Sequence, residues 1–335
     1  MKKLKLSIPA VLLAVFCVSA CALFNPGEQL SQSKVIELGT KYYSWFYSKK
    51  LDSLHSCIFD KNYTLKELTD FRHKVEKQLG REKSLLRERT VRARGRENIY
   101  TYVRFSNFNK SRQPVKTVFS FDSNNNVYQF SVQSLPREAD SKYLNYKTKT
   151  KLRLPFEGEW YLADGGRNIA FNQHSVSPDQ RFACDFVVHK NGLSYRNSGM
   201  KNEDYYCFGK KIFAPGTGKI VTVVDDIKEN IPGDMPKNAG NRIIIDHENG
   251  EFSVLAHFKY KSIAVKTGGR VAAGQFLGLC GNSGHSSEPH LHYHLQNTPI
   301  MFKGEGLPVQ FQSYWEDGEY VELGEPAGGQ YVKNK

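Results

Sequence analysis

The apolar positions change period along the chain. Between residues 31 and 80 they recur every three or four residues: Val35, Leu38, Tyr42 and Phe46 mark one helical face, and Leu68, Phe71, Val75 and Leu79 mark a second. Thr64-Leu65-Lys66-Glu67 has capping-box spacing ahead of the second face, and Gly80 stands where a helix would stop. From about residue 88 the period falls to two. Residues 99–105, 115–121 and 127–132 read as strands, with Asp122-Ser123-Asn124-Asn125-Asn126 as a turn between the last two. Helices followed by an antiparallel meander predict a small α+β domain over 31–137. Residues 138–165 are polar, carry Lys147, Lys149 and Lys151, and read as a linker. Beyond them the texture is all-β, with strands at 219–224, 242–245 and 252–257, frequent glycines from Gly268 to Gly284, and no ten-residue helical stripe between 205 and 300. An antiparallel sheet or partial barrel over 166–310 is expected, and 311–335, which contains Gly328-Gly329, reads as a loose tail.

Residues 1–20 stand apart. Lys2, Lys3 and Lys5 precede an almost unbroken apolar run from Leu6 to Ala20, which is shorter than the roughly 20 residues of a membrane span and fits a signal peptide. The run ends Val18-Ser19-Ala20-Cys21, which resembles the lipobox of bacterial lipoproteins. That resemblance implies lipidation of Cys21, a short linker over 21–30, and attachment to a membrane by lipid. Ala22 does not resemble an inner-membrane retention signal, so the expected location is the cell envelope, at the outer membrane facing the periplasm.

The 335-residue composition, 39% hydrophobic and 24% charged, excludes a disordered chain and suits two domains. The formal net charge is +13. Export removes nucleic acid as a partner and leaves anionic wall polymer or lipid. The densest basic stretch runs from Arg81 to Arg96. On a continuing strand Arg92, Arg94 and Arg96 share one face, either as an anion-binding stripe or as a solvated surface. Of six cysteines, Cys57, Cys184, Cys207 and Cys280 remain after Cys17 and Cys21 are set aside. No CxxC occurs, and their pairing stays open.

Eight of the ten histidines lie at or after His174, so the chemistry is sought in the all-β half. On an alternating strand His290, His292 and His294 share one face, with Leu291, Tyr293 and Leu295 on the other. Two imidazoles at that spacing can hold one metal, or one can hold it while its neighbour handles a proton.

Three motifs make residues 166–300 resemble the lysostaphin/LytM-type zinc endopeptidases, the M23 peptidase family, whose members cut peptide bonds in bacterial peptidoglycan. They are Ser253-Val254-Leu255-Ala256-His257, then Val271-Ala272-Ala273-Gly274-Gln275-Phe276-Leu277-Gly278 followed by Gly281-Asn282-Ser283-Gly284, and His290-Leu291-His292. The resemblance implies a Zn²⁺ cofactor, His292 as a ligand, and His257 and His290 as catalytic histidines. It also implies a His and an Asp ligand spaced HxxxD. Asp185 fits the Asp, but Arg181 stands four residues before it and cannot ligate. His174, across the Ser175-Val176-Ser177-Pro178-Asp179 turn, is preferred in its place, with His189 as the competing candidate. His247, His55 and His73 read as ordinary residues, His285 as a loop residue at the border of a substrate groove, and His294 as a support of the ligand strand. Residues 31–137 are similar in pattern and position to the NTF2-like cone domains that precede some envelope hydrolases.

The expected function is therefore zinc-dependent hydrolysis of peptidoglycan peptides. One alternative is a catalytically inactive activator or scaffold for other wall hydrolases. Two others are a cupin-type metal protein, prompted by Gly284-x5-His290-x-His292, and a secreted peptidase acting on proteins.

Overall fold

A computed structural model of the chain describes residues 11–14, 29–48, 50–96 and 98–335. Cys21 and most of the expected signal sequence lie outside them. The chain divides into two compact units, Met1–Arg137 and Glu138–Lys335. Among the described residues no helix is long and apolar enough to cross a membrane.

The first unit is α+β. Its helices are α1 (Gln32–Tyr47), α2 (Leu51–Cys57) and α3 (Leu65–Leu79). Ser31 caps α1 by accepting from the Lys34 amide, and Val35, Leu38, Tyr42 and Phe46 form its buried face. The Thr64 and Glu67 side chains close a full capping box on α3. The strands are β1 (Val11–Ala14), β2 (Glu82–Arg92), β3 (Ile99–Phe108), β4 (Val115–Asp122) and β5 (Val127–Ser134), in the order β1-β5-β4-β3-β2. The Asp122 carboxylate accepts from the Asn124 and Asn126 amides and closes the β4–β5 turn. Tyr42, Phe46, Phe119 and Phe130 lie at the centre of the core, Phe119 and Phe130 stacking at 4.5 Å between centroids.

One expectation fails in this unit. The strand β2 ends at Arg92, and the chain turns through Arg94 and Gly95, the latter at φ 66°, before β3 begins. Arg92, Arg94 and Arg96 therefore do not share a strand face. A glycine in the left-handed region ended the alternation that the stripe required.

The second unit is built on antiparallel strands. In chain order these are β6 (Trp160–Asp164), β7 (Cys184–Val187), β8 (Lys211–Phe213), β9 (Gly218–Val224), β10 (Arg242–Asp246), β11 (Phe252–Ala256) and β12 (Arg270–Val271). They continue with β13 (Phe276–Leu279), β14 (Leu291–Gln296), β15 (Gly306–Leu307), β16 (Phe311–Glu316), β17 (Glu319–Gly324) and β18 (Tyr331–Asn334). The main sheet runs β12-β9-β10-β11-β14-β7-β6-β18-β16-β17, with β15 also paired to β14, while β8 and β13 form a separate ribbon.

Two boundaries differ from the sequence reading. Residues 138–165 are part of the second unit, with Leu152, Leu154 and Phe156 in its core and Trp160–Asp164 forming the strand beside β7. A fully buried carboxylate, Glu251, ties the segment down by accepting from the amides of Lys149 and Thr150 and from the Tyr146 hydroxyl. The lysines gave this stretch the polarity of a linker, while the Lys149 and Thr150 amides are satisfied by the buried Glu251. Residues 311–335 likewise are no loose tail: β16, β17 and β18 extend the main sheet, and Phe311, Tyr314 and Val332 are fully buried. Burial of one such aromatic contributes enough that Phe311→Ala is expected to cost about 3–5 kcal/mol. Urea unfolding of the full chain checks it, and an unchanged midpoint would mean the segment does not contribute to the core.

Candidate metal centre

The site begins with strand register. In β14, Leu291, Tyr293 and Leu295 enter the main core, while His292, His294 and Gln296 take the opposite face. Asp185 on β7 lies directly across from His292, and Ala256 at the end of β11 lies across from it on the other side. Cross-strand pairing thus brings the Asp185 and His292 side chains within contact, and the residue after Ala256 is His257.

His174 arrives from outside the sheet, on a single 3₁₀ turn, Gln173–Val176. The buried Asn172 caps that turn, accepting from the His174 amide at 3.0 Å while its own amide group donates to the Gly166 carbonyl at 2.7 Å. The result is convergence. His174 Nε2 lies 2.7 Å from Asp185 Oδ2, His292 Nδ1 lies 2.9 Å from Asp185 Oδ1, and one ligand atom from each residue falls within 4.8 Å of the others. Two imidazole nitrogens and one carboxylate oxygen make a donor set suited to a borderline divalent ion such as zinc, with room for a fourth ligand.

Electrostatics favour a cation at this point. Burial alone would raise the Asp185 carboxyl, but the adjacent His174 and His290 and the contacts with His174 and His292 outweigh it and hold the group well below its ordinary value. A buried carboxylate kept ionised, between imidazoles that can each present a lone pair, is a place for positive charge.

Two further histidines face the same point. His257 is buried and sits at φ 67°, in the left-handed region that a non-glycine residue enters at a cost on the order of 1 kcal/mol or more. Its Nδ1 donates to the Ser283 carbonyl at 2.7 Å, which leaves Nε2 without a proton. Burial, followed by the neighbouring His290 and His292, moves it well below the usual imidazole value, so it rests neutral. His290 donates from Nδ1 to the Glu288 carbonyl at 2.8 Å, and its Nε2 lies 3.6 Å from Asp185 Oδ1. The two rings are 4.6 Å apart between centroids.

The loop that supplies the Ser283 carbonyl is pinned by close backbone packing. Gly284 has φ 78°, and a Cβ on it would lie 2.2 Å from the Gly240 amide nitrogen. Ser283 Oγ accepts from the Asn241 amide at 2.9 Å and donates to the Phe258 carbonyl at 2.9 Å. A cleft of about 640 Å³ opens over the five residues, with Met235, Met301 and Phe302 among its apolar walls.

His189 is not part of this convergence. It stacks on Tyr161 at 4.0 Å between ring centroids, and burial moves it down to about 4. His247 is buried, donates to the Thr217 carbonyl and meets Ser253 Oγ at 2.7 Å, while His285 lies exposed in its loop. His294 offers no atom to the ligand cluster and touches it only at His292 Nε2, the nitrogen not turned to Asp185. The roles of the Ser283 and Glu288 carbonyls and of Gln296 were not drawn from the sequence. The Gly281–Gly284 motif was the one signal that a loop there must pack closely.

The model of Peptidase family M23 matches residues 200–306, a span that contains His257, His290 and His292 and begins after His174 and Asp185. The chain is 29% identical over 173 residues to the Peptidoglycan DD-endopeptidase ShyA of Vibrio cholerae, covering 50% of this chain and 37% of that protein. It is 33% identical over 104 residues to an uncharacterized metalloprotease of Buchnera aphidicola subsp. Baizongia pistaciae, covering 31% of this chain and 24% of that one. The chain therefore matches well under half the length of either relative. Among solved structures, the catalytic domain of lysostaphin from Staphylococcus simulans aligns at 19% identity and a TM-score of 0.26, covering 51% of this chain and 95% of that one.

Two outcomes follow from the geometry. The full chain is expected to bind one divalent ion, lost in His174→Ala and kept in His189→Ala, as read by metal stoichiometry after dialysis. For His189, the folded value of about 4 lies below the 6.5 of the unfolded chain. Over that window the unfolded state binds more protons, so stability is full above pH 6.5 and is lost as pH falls toward 4. His189→Phe, which keeps the ring stack, is expected to flatten this part of the dependence in urea midpoints measured from pH 7 to pH 5.

Proposed function

We propose, with residues 200–306 matching the model of Peptidase family M23, that the protein is a zinc-dependent endopeptidase that hydrolyses peptide bonds in bacterial peptidoglycan. The observation that carries the reading is the meeting of His174, Asp185 and His292 within 4.8 Å beneath an open cleft, with His257 and His290 beside them. The relative that acts on peptidoglycan supports the substrate class.

His174, Asp185 and His292 would hold the ion. Bound there, zinc would supply Lewis-acid polarisation of the scissile carbonyl and activation of a water near neutral pH. The chain's own histidines manage protons and charge. His257 and His290 each spend Nδ1–H on a main-chain carbonyl, Ser283 and Glu288 respectively, so each turns a basic Nε2 toward the cleft. Either Nε2 can take a proton from the attacking water. Once protonated, the same nitrogen can donate to the oxyanion of the tetrahedral intermediate or to the departing amine. Two imidazoles divide tasks that one would have to perform in sequence. The φ of His257 is consistent with such a role, since strain of this kind is kept where the surroundings hold a side chain in place for function.

The wider assignment follows the sequence. The basic start and apolar run of residues 1–20 with Cys21 support export and lipid anchoring in the cell envelope, at the outer membrane facing the periplasm. The α+β unit is read as an NTF2-like domain. Its basic residues support contact with anionic polymer through charge, although the Arg92–Arg96 stripe is broken by the turn at Gly95.

The reading is tested by His290→Ala. It is expected to keep its metal and to lower the release of peptides from purified sacculi by at least about 100-fold, the usual contribution of a positioned acid–base group. A wild-type chain that binds metal yet releases no peptides would favour the inactive scaffold instead.

A further inference from the structure

Beyond the ligand, the same face of β14 carries a string of buried polar side chains that the proposed function has not used. His292 Nε2 lies 2.9 Å from His294 Nδ1, His294 Nε2 lies 3.1 Å from Gln296 Oε1, and Gln296 Nε2 donates to the Thr298 carbonyl at 2.7 Å. All three side chains are buried. In such a string the direction of each bond fixes the next.

The direction starts at Thr298. A main-chain carbonyl only accepts, so the Gln296 amide must turn its NH₂ group toward it and its oxygen toward His294. The reversed amide would set two oxygens against each other at 2.7 Å. Gln296 Oε1 also only accepts, so His294 carries its proton on Nε2 and leaves Nδ1 bare. Bare Nδ1 in turn requires a proton on His292 Nε2. The neutral His292 ring therefore presents a bare Nδ1 to Asp185 Oδ1, 2.9 Å away, and two acceptors face each other across that gap. A metal ion between them, or a second proton on the His292 ring, reconciles them, and the donor set with His174 and Asp185 favours the metal.

We propose that Thr298, Gln296 and His294 form a directional relay that sets the tautomer of His292, so that Nδ1 is offered to the metal. This rests on the metal-site reading given above. His294 and Gln296 are positioning residues, since neither supplies an atom to the ligand set and His294 acts through His292. The relay runs along one strand at alternate positions, so the pleat that buries Leu291, Tyr293 and Leu295 in the core also holds its members in line.

Zinc affinity separates this from simple packing. In the full chain, measured by competition with a fluorescent chelator, His294→Leu fills the space without an acceptor and is expected to weaken zinc binding by roughly 10–100-fold, the usual cost of losing an outer partner of a ligating histidine. His294→Asn places an amide oxygen near the former Nδ1 and is expected to recover most of that loss. A packing role predicts the opposite order, since Leu suits a buried site better than Asn. Gln296→Met should fall in the same direction as His294→Leu. Nitrogen-15 histidine spectra of the zinc-loaded wild type provide a readout that needs no variant to fold: the proton is expected on Nε2 of both His292 and His294. A proton on His292 Nδ1, wild-type affinity in His294→Leu, or an Asn variant as weak as Leu would each overturn the relay while leaving the metal site standing. A wild-type chain that takes up no zinc would overturn both.

Discussion

One cross-strand pair organises the second unit. Asp185 and His292 face each other across β7 and β14 because the antiparallel register puts them there, and that register is held by the apolar residues on the other side of β14. A one-residue slip would send His292 into the core and bring Tyr293 to the site. The carboxylate that results is buried and ionised, with imidazoles as its neighbours. Everything else at the site answers that concentration of negative charge: a third donor from the 173–176 turn and two rings held by carbonyls at its margin.

Those carbonyls show how a β scaffold controls proton position without further ionisable groups. Each of His257 and His290 is bound through Nδ1 to a main-chain oxygen from a loop next to β14, and the peptide backbone cannot change its acceptor character with pH. Asp185 has no such fixed partner and depends on its neighbours. Fixed dipoles thus set the basic nitrogens, and mobile charge is confined to the centre.

What the sequence revealed and what it hid divide along periodicity. The alternation of His290-Leu291-His292-Tyr293-His294 places one face of a strand in plain view, and Asp185 follows from the opposite strand through a family motif. His174 belongs to no period. It comes from a 3₁₀ turn whose position depends on Asn172 and the Gly166 carbonyl, so only the family resemblance, and no pattern in the chain, favoured it over His189. His189 sits on the same strand parity as Asp185, yet its ring is occupied by Tyr161. In the fold, Thr64 and Glu67 announced their helix because a capping box is local. Residues 149–156 and 311–334 misled because their burial is supplied by partners far away in the chain, Glu251 in one case and β6 in the other. The meaning of Gln296 could not be read at all without the Thr298 carbonyl that orients it.

The position of β18 has a kinetic corollary. It lies between β6 and β16, and Asn334 reaches the Leu154 carbonyl across 180 positions of sequence. The strand next to β7 is therefore without one neighbour until residues 331–334 have been delivered. A chain made from its amino end would hold β6 as an open edge throughout that interval, and closing so distant a pair is slow. The interval before closure is when this unit is most exposed to pairing with another chain.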